Sequence, residues 1–370
     1  MTRICLTGAS GFAGHHFLEH VLTTTDWEVA ATASFRHRGT CDRIEPVLRG
    51  PERDAWSTEP ACGWRDRVTV VTHDLTAPFS PAEQARIAGR NGADYLIAMA
   101  SASHVDTSIA DPVAFTENNV AVILNTLELA RALKPSAVVV ISTDEVYGPV
   151  AGPHAENDSL GGIRQVETGR PHPEWDVILP SNPYAASKAA QEAIAIAYWR
   201  TYGVPVIITN TMNLIGERQH PEKFVPKVIR AVMAGDEVTV HGRPGEPGSR
   251  HWLHARNMAD AVTWLLRETR PSMFGAHASP GTAADRPDRY NVASPDRIDN
   301  LTLAAMIAAA AGRDLRWRWE DFHATRPGHD PHYGLDPAKL TALGWKPPVP
   351  FTESLERTVR WTIRHPEWLL

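Results

Sequence analysis

The stretch TGASGFAG, residues 7–14, follows the apolar segment RICL and opens a helical pattern. Each glycine meets a different need of a strand-to-helix turn: Gly8 allows the tight turn, Gly11 lets the backbone approach a pyrophosphate, and Gly14 allows close packing of helix on strand. A simple turn that binds nothing has the same glycines. Because this turn lies inside a β–α–β pattern, we predict a dinucleotide site, with NAD(P) as the cofactor.

Outward from this turn, apolar runs alternate with helical patterns, which is typical of a parallel sheet covered by helices. The predicted strands are Arg3–Thr7, Glu28–Ala33, Val68–Thr72, Tyr95–Ala98, Ala137–Ser142 and Val206–Asn210. The predicted helices are Ala13–Thr23, Ala82–Gly89 and Phe115–Leu133. We therefore predict an α/β fold with a doubly wound parallel Rossmann sheet. Three stretches, 36–66, 149–181 and 271–289, are predicted to be irregular, the last as a mobile surface loop.

Composition excludes several classes of protein. The 370 residues carry a net charge of −6 without a block of lysine or arginine, so we expect no nucleic-acid partner. The three cysteines lack CxxC spacing and predict neither a disulfide framework nor a metal site. The N-terminus has the pattern of a core strand, and no apolar run has the length of a membrane span. We therefore expect a cytoplasmic protein with no membrane partner.

The end of the second predicted strand bears on the choice of cofactor. An acidic residue usually binds the adenosine ribose at this point, but the segment ATASFRHRG has none. Arg36 and Arg38 stand there instead, and guanidinium groups suit a 2′-phosphate, so NADP is favoured over NAD. Solvated loop arginines would give the same pattern. Asp74, after the third strand, is a candidate to bind the adenine, or else an ordinary strand-end cap.

Tyr184 and Lys188, in SNPYAASKAA, lie four residues apart at the start of a predicted helix and so share one face. An unperturbed tyrosine has a pKa of about 10 and is a poor base at neutral pH. A nearby ammonium group favours the phenolate and makes it a usable general base. An exposed pair with no function is common for this spacing. Together with the glycine turn and the strand-end hydroxyls Ser142 and Thr143, the pair predicts hydride-transfer chemistry.

The segment ISTDEVYG, residues 141–148, places Thr143, Asp144 and Glu145 at the end of a wholly apolar strand. Hydride transfer needs the hydroxyl but not two carboxylates. Elimination of water beside a transient ketone needs both a base for the α-proton and an acid for the departing hydroxyl. The acid pair therefore indicates a dehydratase, unless both carboxylates only cap a loop.

The chain resembles the extended branch of the short-chain dehydrogenase/reductase superfamily, and within it the nucleotide-sugar 4,6-dehydratases, most of all those acting on dTDP-glucose. The resemblance covers nearly the full length. Its motifs are STDEVYG at 142–148, SHVDTSI at 103–109, NPYAASKA at 182–189, HPEKFVPKVI at 220–229, RHW at 250–252, RPGHDPHYGLD at 326–336 and LGWKP at 343–347.

The resemblance implies a role for each catalytic residue. Tyr184 and Thr143 would handle the sugar 4-hydroxyl while NAD(P)+ takes the C4 hydride, and Lys188 would hold the nicotinamide ribose. Glu145 would remove the C5 proton, and Asp144 would protonate the departing 6-hydroxyl. Return of the hydride to C6 gives the 4-keto-6-deoxy sugar. This cycle requires the cofactor to stay tightly bound and to be recycled.

The resemblance also implies binding residues. Together with the residues singled out above from their own chemistry, the candidate cofactor-binding residues are Gly8, Gly11, Phe12, Gly14, Arg36, Arg38, Asp74, Leu75, Tyr184 and Lys188. For the nucleotide-diphosphate sugar the implied residues are Ser103, His104, Asn213, Lys223 and Arg250, each with a structural role as the alternative. A homodimer formed through the helices Phe115–Leu133 and Tyr184–Tyr202 is expected, although their apolar faces would equally suit a core.

Several positions depart from the family pattern. Ala98, Ser101 and Ala102 replace larger or charged residues, and His251 and His332 stand where the family has an acid and an arginine. The segment NLIGE at 213–217 replaces NNYGP. These departures cluster at the predicted sugar-nucleotide site, whereas the catalytic residues are intact. We therefore expect dehydratase chemistry on an unusual nucleotide sugar.

Other functions stay open. A 5,6-dehydratase would use the same acid and base, and a 4-epimerase would need neither carboxylate. A decarboxylase would need a uronic acid substrate. A non-catalytic NADP-binding regulator is the alternative from another class, but it would need none of the catalytic side chains. We predict an NAD(P)-binding domain over 1–160, 182–212 and 247–270. A smaller mixed α/β domain that binds the nucleotide sugar is predicted over 213–246 and 271–370.

Overall fold

The computed structural model describes residues 1–36, 39–50, 64–150, 170–243, 246–295, 297–320 and 332–370. Arg38 and most of the stretch 149–181, both singled out from the sequence, lie outside these residues. In the described part of the chain, no helix is long and apolar enough to cross a membrane. The same residues contain no group of three or more His, Cys, Asp or Glu side chains that could hold a metal ion.

Seven strands form the larger sheet. They are β1 (Arg3–Thr7), β2 (Glu28–Ala33), β3 (Val68–Thr72), β4 (Tyr95–Ala98), β5 (Ala137–Thr143), β6 (Val206–Thr211) and β11 (Asp288–Val292). Their order across the sheet is β11-β6-β5-β4-β1-β2-β3. β1 pairs in parallel with both β2 and β4, with Leu6 opposite Ala31 and Ile97. The strand order reverses at β1 and β4, the position where doubly wound sheets bind ligands. The predicted Rossmann fold class is confirmed.

Six further strands form two small sheets: β7 (Asn213–Ile215), β8 (Val238–Arg243), β9 (Glu246–Pro247), β10 (Ser249–His254), β12 (Arg297–Asp299) and β13 (Trp317–Glu320). β10 pairs antiparallel with β12 and parallel with β7. β8 pairs parallel with β13 and antiparallel with β9. The predicted smaller mixed α/β region is therefore confirmed.

Eleven helices are described: α1 (Phe12–Thr24), α2 (Cys41–Arg49), α3 (Pro81–Ala88), α4 (Val105–Ala110), α5 (Pro112–Leu133), α6 (Pro183–Tyr202), α7 (Phe224–Ala234), α8 (Ala255–Glu268), α9 (Asn300–Ala311), α10 (Ala338–Ala342) and α11 (Phe351–Arg364). Local signals set their ends. Ser80 and Glu83 form a capping box at the start of α3, and Asp111 caps α5 ahead of Pro112. α5 ends at Lys134, whose left-handed backbone breaks the helix.

Contacts divide the chain into two compact units. The first is Met1–Ser142, Ser187–Thr209 and Met258–Arg289, and the second is Thr143–Ala186, Asn210–Asn257 and Tyr290–Leu370. Each has its own apolar core, one around Leu96, Leu127 and Trp199 and the other around Ile229 and Ile307. The predicted NAD(P)-binding domain comprised 1–160, 182–212 and 247–270, and the predicted sugar-binding domain comprised 213–246 and 271–370. These domains also alternate along the chain, but their boundaries differ from those of the two units. The domain assignment stays a prediction.

Two stretches predicted as irregular contain ordered structure. In 36–66, the short helix α2 buries Arg43, Ile44 and Val47 on one face although it contains Pro46. In 271–289, the Ser272 N–H donates to Asp288 Oδ2 at 2.7 Å, and its carbonyl accepts from Trp199 Nε1 at 2.7 Å. The prediction of no helix in 36–66 was therefore wrong, and the mobility of 271–289 stays a prediction.

Candidate active site

The glycine turn after β1 has the close approach that the sequence predicts. Gly8 has φ of 73°, a conformation that favours glycine, and its carbonyl accepts from the Gly11 N–H at 2.9 Å. A Cβ at Gly14 would lie 2.0 Å from the Gly8 oxygen. Any larger residue at position 14 would therefore push α1 away from the turn.

The N-terminus of α1 suits an anion. Gly11 caps the helix without a side-chain hydrogen bond, and the first turn contains no acidic residue. The free N–H groups and the helix dipole of such an end attract phosphate groups. The glycine cradle and this helix end together fit the pyrophosphate of a dinucleotide. Phe12 begins α1, with its ring centroid 5.4 Å from that of His16.

The residues after β2 and β3 meet in an ion pair that the sequence did not reveal. The Arg36 guanidinium contacts the Asp74 carboxylate, and both side chains are partly exposed. Asp74 Oδ1 also accepts from the Thr76 N–H at 3.1 Å. Arg36 is therefore neutralised by the acid predicted to bind the adenine. The neighbouring Leu75 is buried, and its carbonyl accepts from Asn125 Nδ2 at 2.9 Å.

The acid pair lies in a 3-10 helix, Asp144–Tyr147, directly after β5. Thr143 Oγ1 donates to Asp144 Oδ1 at 2.9 Å, and Asn182 Nδ2 donates to Glu145 Oε2 at 3.0 Å. Asn210 Nδ2 holds the Thr143 carbonyl at 3.0 Å. The two carboxylates thus have different partners, as different roles would require.

Asp144 keeps its proton to an unusually high pH. Its side chain is buried, and this burial, with the negative charge of Glu145, raises the pKa of Asp144 from 3.8 to about 7. The hydrogen bond from Thr143 and the charge of Arg250 oppose the shift. A carboxylic acid of this pKa is suited to donate a proton near neutral pH.

The raised pKa of Asp144 predicts a pH-dependent gain in stability for Asp144→Asn. Below pH 4 the Asp144 carboxyl is protonated in both the folded and the unfolded state, so its ionisation does not affect the free energy of unfolding. Between pH 4 and pH 7 the unfolded chain loses this proton while the fold retains it, so the native protein loses stability as the pH rises. We expect Asp144→Asn to increase the free energy of unfolding by about 1–3 kcal/mol at pH 8 and negligibly at pH 4.

Urea unfolding of both proteins at the two pH values measures this difference. Asp285→Asn is the control, because the Asp285 side chain is 86% exposed. An equal effect of Asp144→Asn at pH 4 and pH 8 would contradict the assigned ionisation.

Tyr184, on the first turn of α6, is partly buried. Burial raises the pKa of Tyr184 above its usual value, and the charges of Glu145 and Asp144 add to the rise, while a hydrogen bond with Thr143 opposes it. In this state Tyr184 is therefore a neutral phenol. Its function as a base requires a positive charge supplied nearby.

Lys188, one turn further along α6, is buried. Desolvation lowers the pKa of Lys188 from 10.5 to about 8, and the charge of Glu192 partly offsets this. Lys188 Nζ donates to the Ile141 carbonyl at 2.7 Å and to Gln191 Oε1 at 2.6 Å. At pH 7 the ammonium form of Lys188 therefore predominates.

The predicted substrate residues have mixed environments. Ser103 is exposed, whereas His104 caps α4 by accepting from the Thr107 N–H at 3.2 Å. Asn213 begins β7, and Lys223 precedes the first turn of α7. The roles of these residues in binding substrate stay predictions.

Arg250 lies on β10 and Arg297 on the neighbouring strand β12, and only Arg250 was singled out from the sequence. Arg250 is buried, and its guanidinium lies 4.6 Å from the centroid of the Tyr333 ring. Partial burial and, second, the charge of Arg250 lower the pKa of Arg297. No motif drew attention to Arg297, because it stands in β12, far along the chain from RHW.

A Rossmann sheet with a glycine turn, together with a tyrosine and a lysine one turn apart on a helix, defines the extended short-chain dehydrogenase/reductase class. Residues 4–276 match the NAD dependent epimerase/dehydratase family, and the chain belongs to that family. The predicted resemblance is thereby confirmed.

Individual relatives point in the same direction. The chain is 29% identical to dTDP-glucose 4,6-dehydratase 1 of Escherichia coli, with 99% of this chain and 94% of that protein covered. It is similar in structure to DesIV, a dTDP-glucose 4,6-dehydratase from Streptomyces venezuelae with NAD and TYD bound, with a TM-score of 0.76, 28% identity, and coverage of 99% and 98%. A UDP-glucose 4-epimerase of Thermus thermophilus in complex with NAD, 24% identical with a TM-score of 0.73 and coverage of 97% and 98%, shares the fold alone.

Proposed function

We propose that the protein is a nucleotide-sugar 4,6-dehydratase that converts an NDP-hexose to the NDP-4-keto-6-deoxyhexose. The observation that supports this proposal most is the acid pair: the buried Asp144 retains a proton near neutral pH beside the half-buried Glu145, which has a separate hydrogen-bond donor. The family and the dehydratases among its relatives support this proposal. The substrate would be a nucleotide-diphosphate sugar.

Each residue would act at one position of the sugar. NAD(P)+, when bound, would accept the hydride from C4 and return it at C6. Thr143 and Tyr184 would bind the 4-hydroxyl, and Tyr184 would remove its proton. The ammonium of Lys188 would favour the phenolate of Tyr184, which takes up the 4-hydroxyl proton and becomes the neutral phenol. Because Tyr184 is a neutral phenol in the resting state, its own proton would have to leave to solvent before it accepts the proton of the 4-hydroxyl.

The acid pair would carry out the elimination. A 4-ketone acidifies the C5 proton, and Glu145, whose Oε2 accepts a hydrogen bond from Asn182, would take that proton. Asp144 would deliver its proton to the departing 6-hydroxyl, which leaves as water. The hydrogen bond from Thr143 would keep the Asp144 side chain in place between turnovers.

The diphosphate would bind to Arg250. The contact with Tyr333 and the hydrogen bond to the Ser249 carbonyl fix the Arg250 guanidinium before substrate arrives. By the resemblance to the family, Asn213 and Lys223 would be further contacts of the sugar diphosphate. By the same resemblance, Ser103 and His104 would be residues of the sugar pocket.

Three other functions remain distinct from this proposal. A 5,6-dehydratase would use the same acid and base but leave an alkene. A 4-epimerase would not need Asp144 and Glu145, so the presence of both acids favours a dehydratase over an epimerase. A non-catalytic NADP-binding regulator would need neither the acid pair nor the perturbed lysine.

Product analysis distinguishes these functions. The purified protein would be incubated in heavy water with dTDP-, UDP-, GDP- and CDP-hexoses, and products followed by mass spectrometry. Loss of one water with one solvent deuterium gained, and no external cofactor consumed, is expected. Proton NMR then separates a 6-methyl ketone from a 5,6-alkene. A product of unchanged composition would instead show epimerisation and overturn the proposal.

We propose that NAD is the cofactor, which departs from the preference for NADP predicted from Arg36 and Arg38. Asp74 occupies the Arg36 guanidinium that a 2′-phosphate would need, and its negative charge would repel that phosphate. NAD is also the dinucleotide named in the related DesIV structure.

The ion pair yields a test of this choice. In Asp74→Asn, Arg36 is released and the repulsion is removed, so we expect NADP+ to gain about tenfold in affinity relative to NAD+. Titration calorimetry with both dinucleotides measures the ratio. Asp66→Asn, which removes an exposed acid from the same compact unit, should leave the ratio unchanged. An unchanged ratio of affinities in Asp74→Asn would show that Asp74 plays no part in the recognition of the ribose.

We also propose a homodimer formed through α5 and α6. Both helices expose apolar side chains, with Val113 65% and Leu124 37% exposed on α5 and Tyr202 49% exposed on α6. Ala186, Ala193 and Ala197 lie exposed along α6, where small side chains would let a partner helix approach. Sedimentation velocity of the purified protein tests the stoichiometry, and a monomer at micromolar concentration would exclude it.

A further inference from the structure

Lys188 is held by a hydrogen-bond network that extends beyond the catalytic residues. A lysine side chain has a flexible stem, so a buried ammonium group needs fixed acceptors to stay in one position. The Ile141 carbonyl of β5 is one acceptor, and the side-chain oxygen of Gln191 is the other, at 2.6 Å. Gln191 is itself 2% exposed.

Gln191 links Lys188 to helix α5. Its Nε2 donates to the Asn119 carbonyl at 2.8 Å, so both ends of the amide are used. The Asn119 side chain is fixed in turn, because it donates to Ser187 Oγ at 2.9 Å and accepts from the Ala102 N–H at 2.8 Å. Asn119 and Ser187 are both fully buried. The amide of Gln191 therefore has one orientation, which directs its oxygen at Lys188.

The charged surroundings of Lys188 make the neutral amide significant. On α6, Glu192 is fully buried and binds Arg289, so its charge is largely compensated. The other described groups in this network are the Ile141 carbonyl of β5, the Gln191 amide of α6 and the Asn119 carbonyl of α5, and none of these titrates. The Gln191 oxygen is thus the side-chain group closest to the ammonium. It stabilises the charge without adding a formal negative charge of its own.

We propose that Gln191 is a positioning residue that fixes the ammonium group of Lys188 and sets the pH at which Lys188 loses its charge. Its catalytic consequence rests on the proposed dehydratase function, whereas its effect on Lys188 does not. Two substitutions of similar size move Lys188 in opposite directions. Gln191→Met removes the acceptor and disfavours the ammonium form, and Gln191→Glu adds a negative charge that favours it.

The test is a titration of Lys188 itself. The protein, saturated with NAD+ and labelled with 13C at lysine Cε, is followed by NMR, and Lys188→Met assigns the signal. Relative to the natural protein, the Lys188 midpoint should fall by about one pH unit in Gln191→Met and rise by at least about one in Gln191→Glu. Thr126→Val is the control, since Thr126 is equally buried but bonds only to the Val122 carbonyl. It should leave the midpoint unchanged.

Kinetics then separate positioning from a structural role. With a nucleotide sugar that the natural protein turns over, kcat should fall roughly 10- to 100-fold in Gln191→Met with little change in KM. The alkaline limb of the oxidation step, followed as single-turnover reduction of NAD+ because this step does not use Asp144, should move with the Lys188 midpoint in both variants. If Gln191→Met fails to fold, Gln191→Glu carries the test alone. Unmoved Lys188 midpoints in folded variants overturn the inference. Inertness of the natural protein toward every sugar nucleotide would instead overturn the proposed function and leave the NMR result standing.

Discussion

Tyr184→Phe is expected to abolish turnover while the protein still binds its cofactor. The substitution removes only the phenolic oxygen, so the helix and its packing should persist. Loss of a positioned general base costs about 10²- to 10⁴-fold in rate. Because the phenol is neutral in the resting state, the loss should appear in kcat rather than in the affinity for NAD+. Single-turnover kinetics and cofactor titration measure the two effects separately.

Tyr198→Phe is the matched control for this experiment. Tyr198 lies on the same helix, and its hydroxyl donates to Glu128 at 2.7 Å on the protein surface. We expect its kcat to stay within about twofold of the natural value, as for most surface changes. If Tyr184→Phe retained more than a tenth of the natural rate, a base other than Tyr184 would be at work.

Glu145→Gln is expected to separate oxidation of the sugar from elimination of water. The amide cannot accept the C5 proton, so dehydration should fall by about 10²- to 10⁴-fold. Oxidation at C4 relies on Thr143 and Tyr184 and should continue. The variant should therefore accumulate the reduced nicotinamide, seen by its fluorescence, without incorporating solvent deuterium into the sugar. Neutralising Glu145 also removes a charge that raises the pKa of Asp144. The alkaline limb of any residual activity, where Asp144 loses the proton that it must donate, should then lie at lower pH.

This second experiment discriminates among the candidate reactions. A 4-epimerase would turn over in Glu145→Gln, since rotation of a ketone needs no C5 base. Glu356→Gln is the control, because Glu356 is an exposed residue paired with Arg360 on α11. Dehydration at the natural rate in Glu145→Gln would show that another group removes the C5 proton.

The framework of the fold could be predicted because its signals are local. β1, β2, β3 and β4 begin and end where the apolar runs do, since strands of a parallel sheet are buried on both faces. The glycine turn likewise depends on neighbouring residues alone. Helix α2 was missed because Pro46 interrupts its pattern, although only one face of the helix needs to be buried.

The contacts that tune the site could not be predicted in the same way. Arg36 and Asp74 were each singled out, but their pairing depends on the adjacency of β2 and β3. The charge of Arg250 affects the pKa of Arg297 only because β10 pairs with β12, which is distant in sequence. Gln191 was passed over since a glutamine on a helix is ordinary until its two amide contacts are known. The pKa shifts follow from burial, which sequence patterns describe only coarsely.

The buried ion pair between Arg289 and Glu192 constrains how this chain can diverge. Both side chains are fully buried. Losing either one leaves the other charge unpaired in the core, which lowers the free energy of unfolding by about 3–5 kcal/mol. A single substitution at either position would therefore consume much of the stability of an ordinary domain. Two well-packed apolar residues in their place would be tolerated by the fold. Across descendants of this sequence, positions 192 and 289 should consequently vary together or stay as they are.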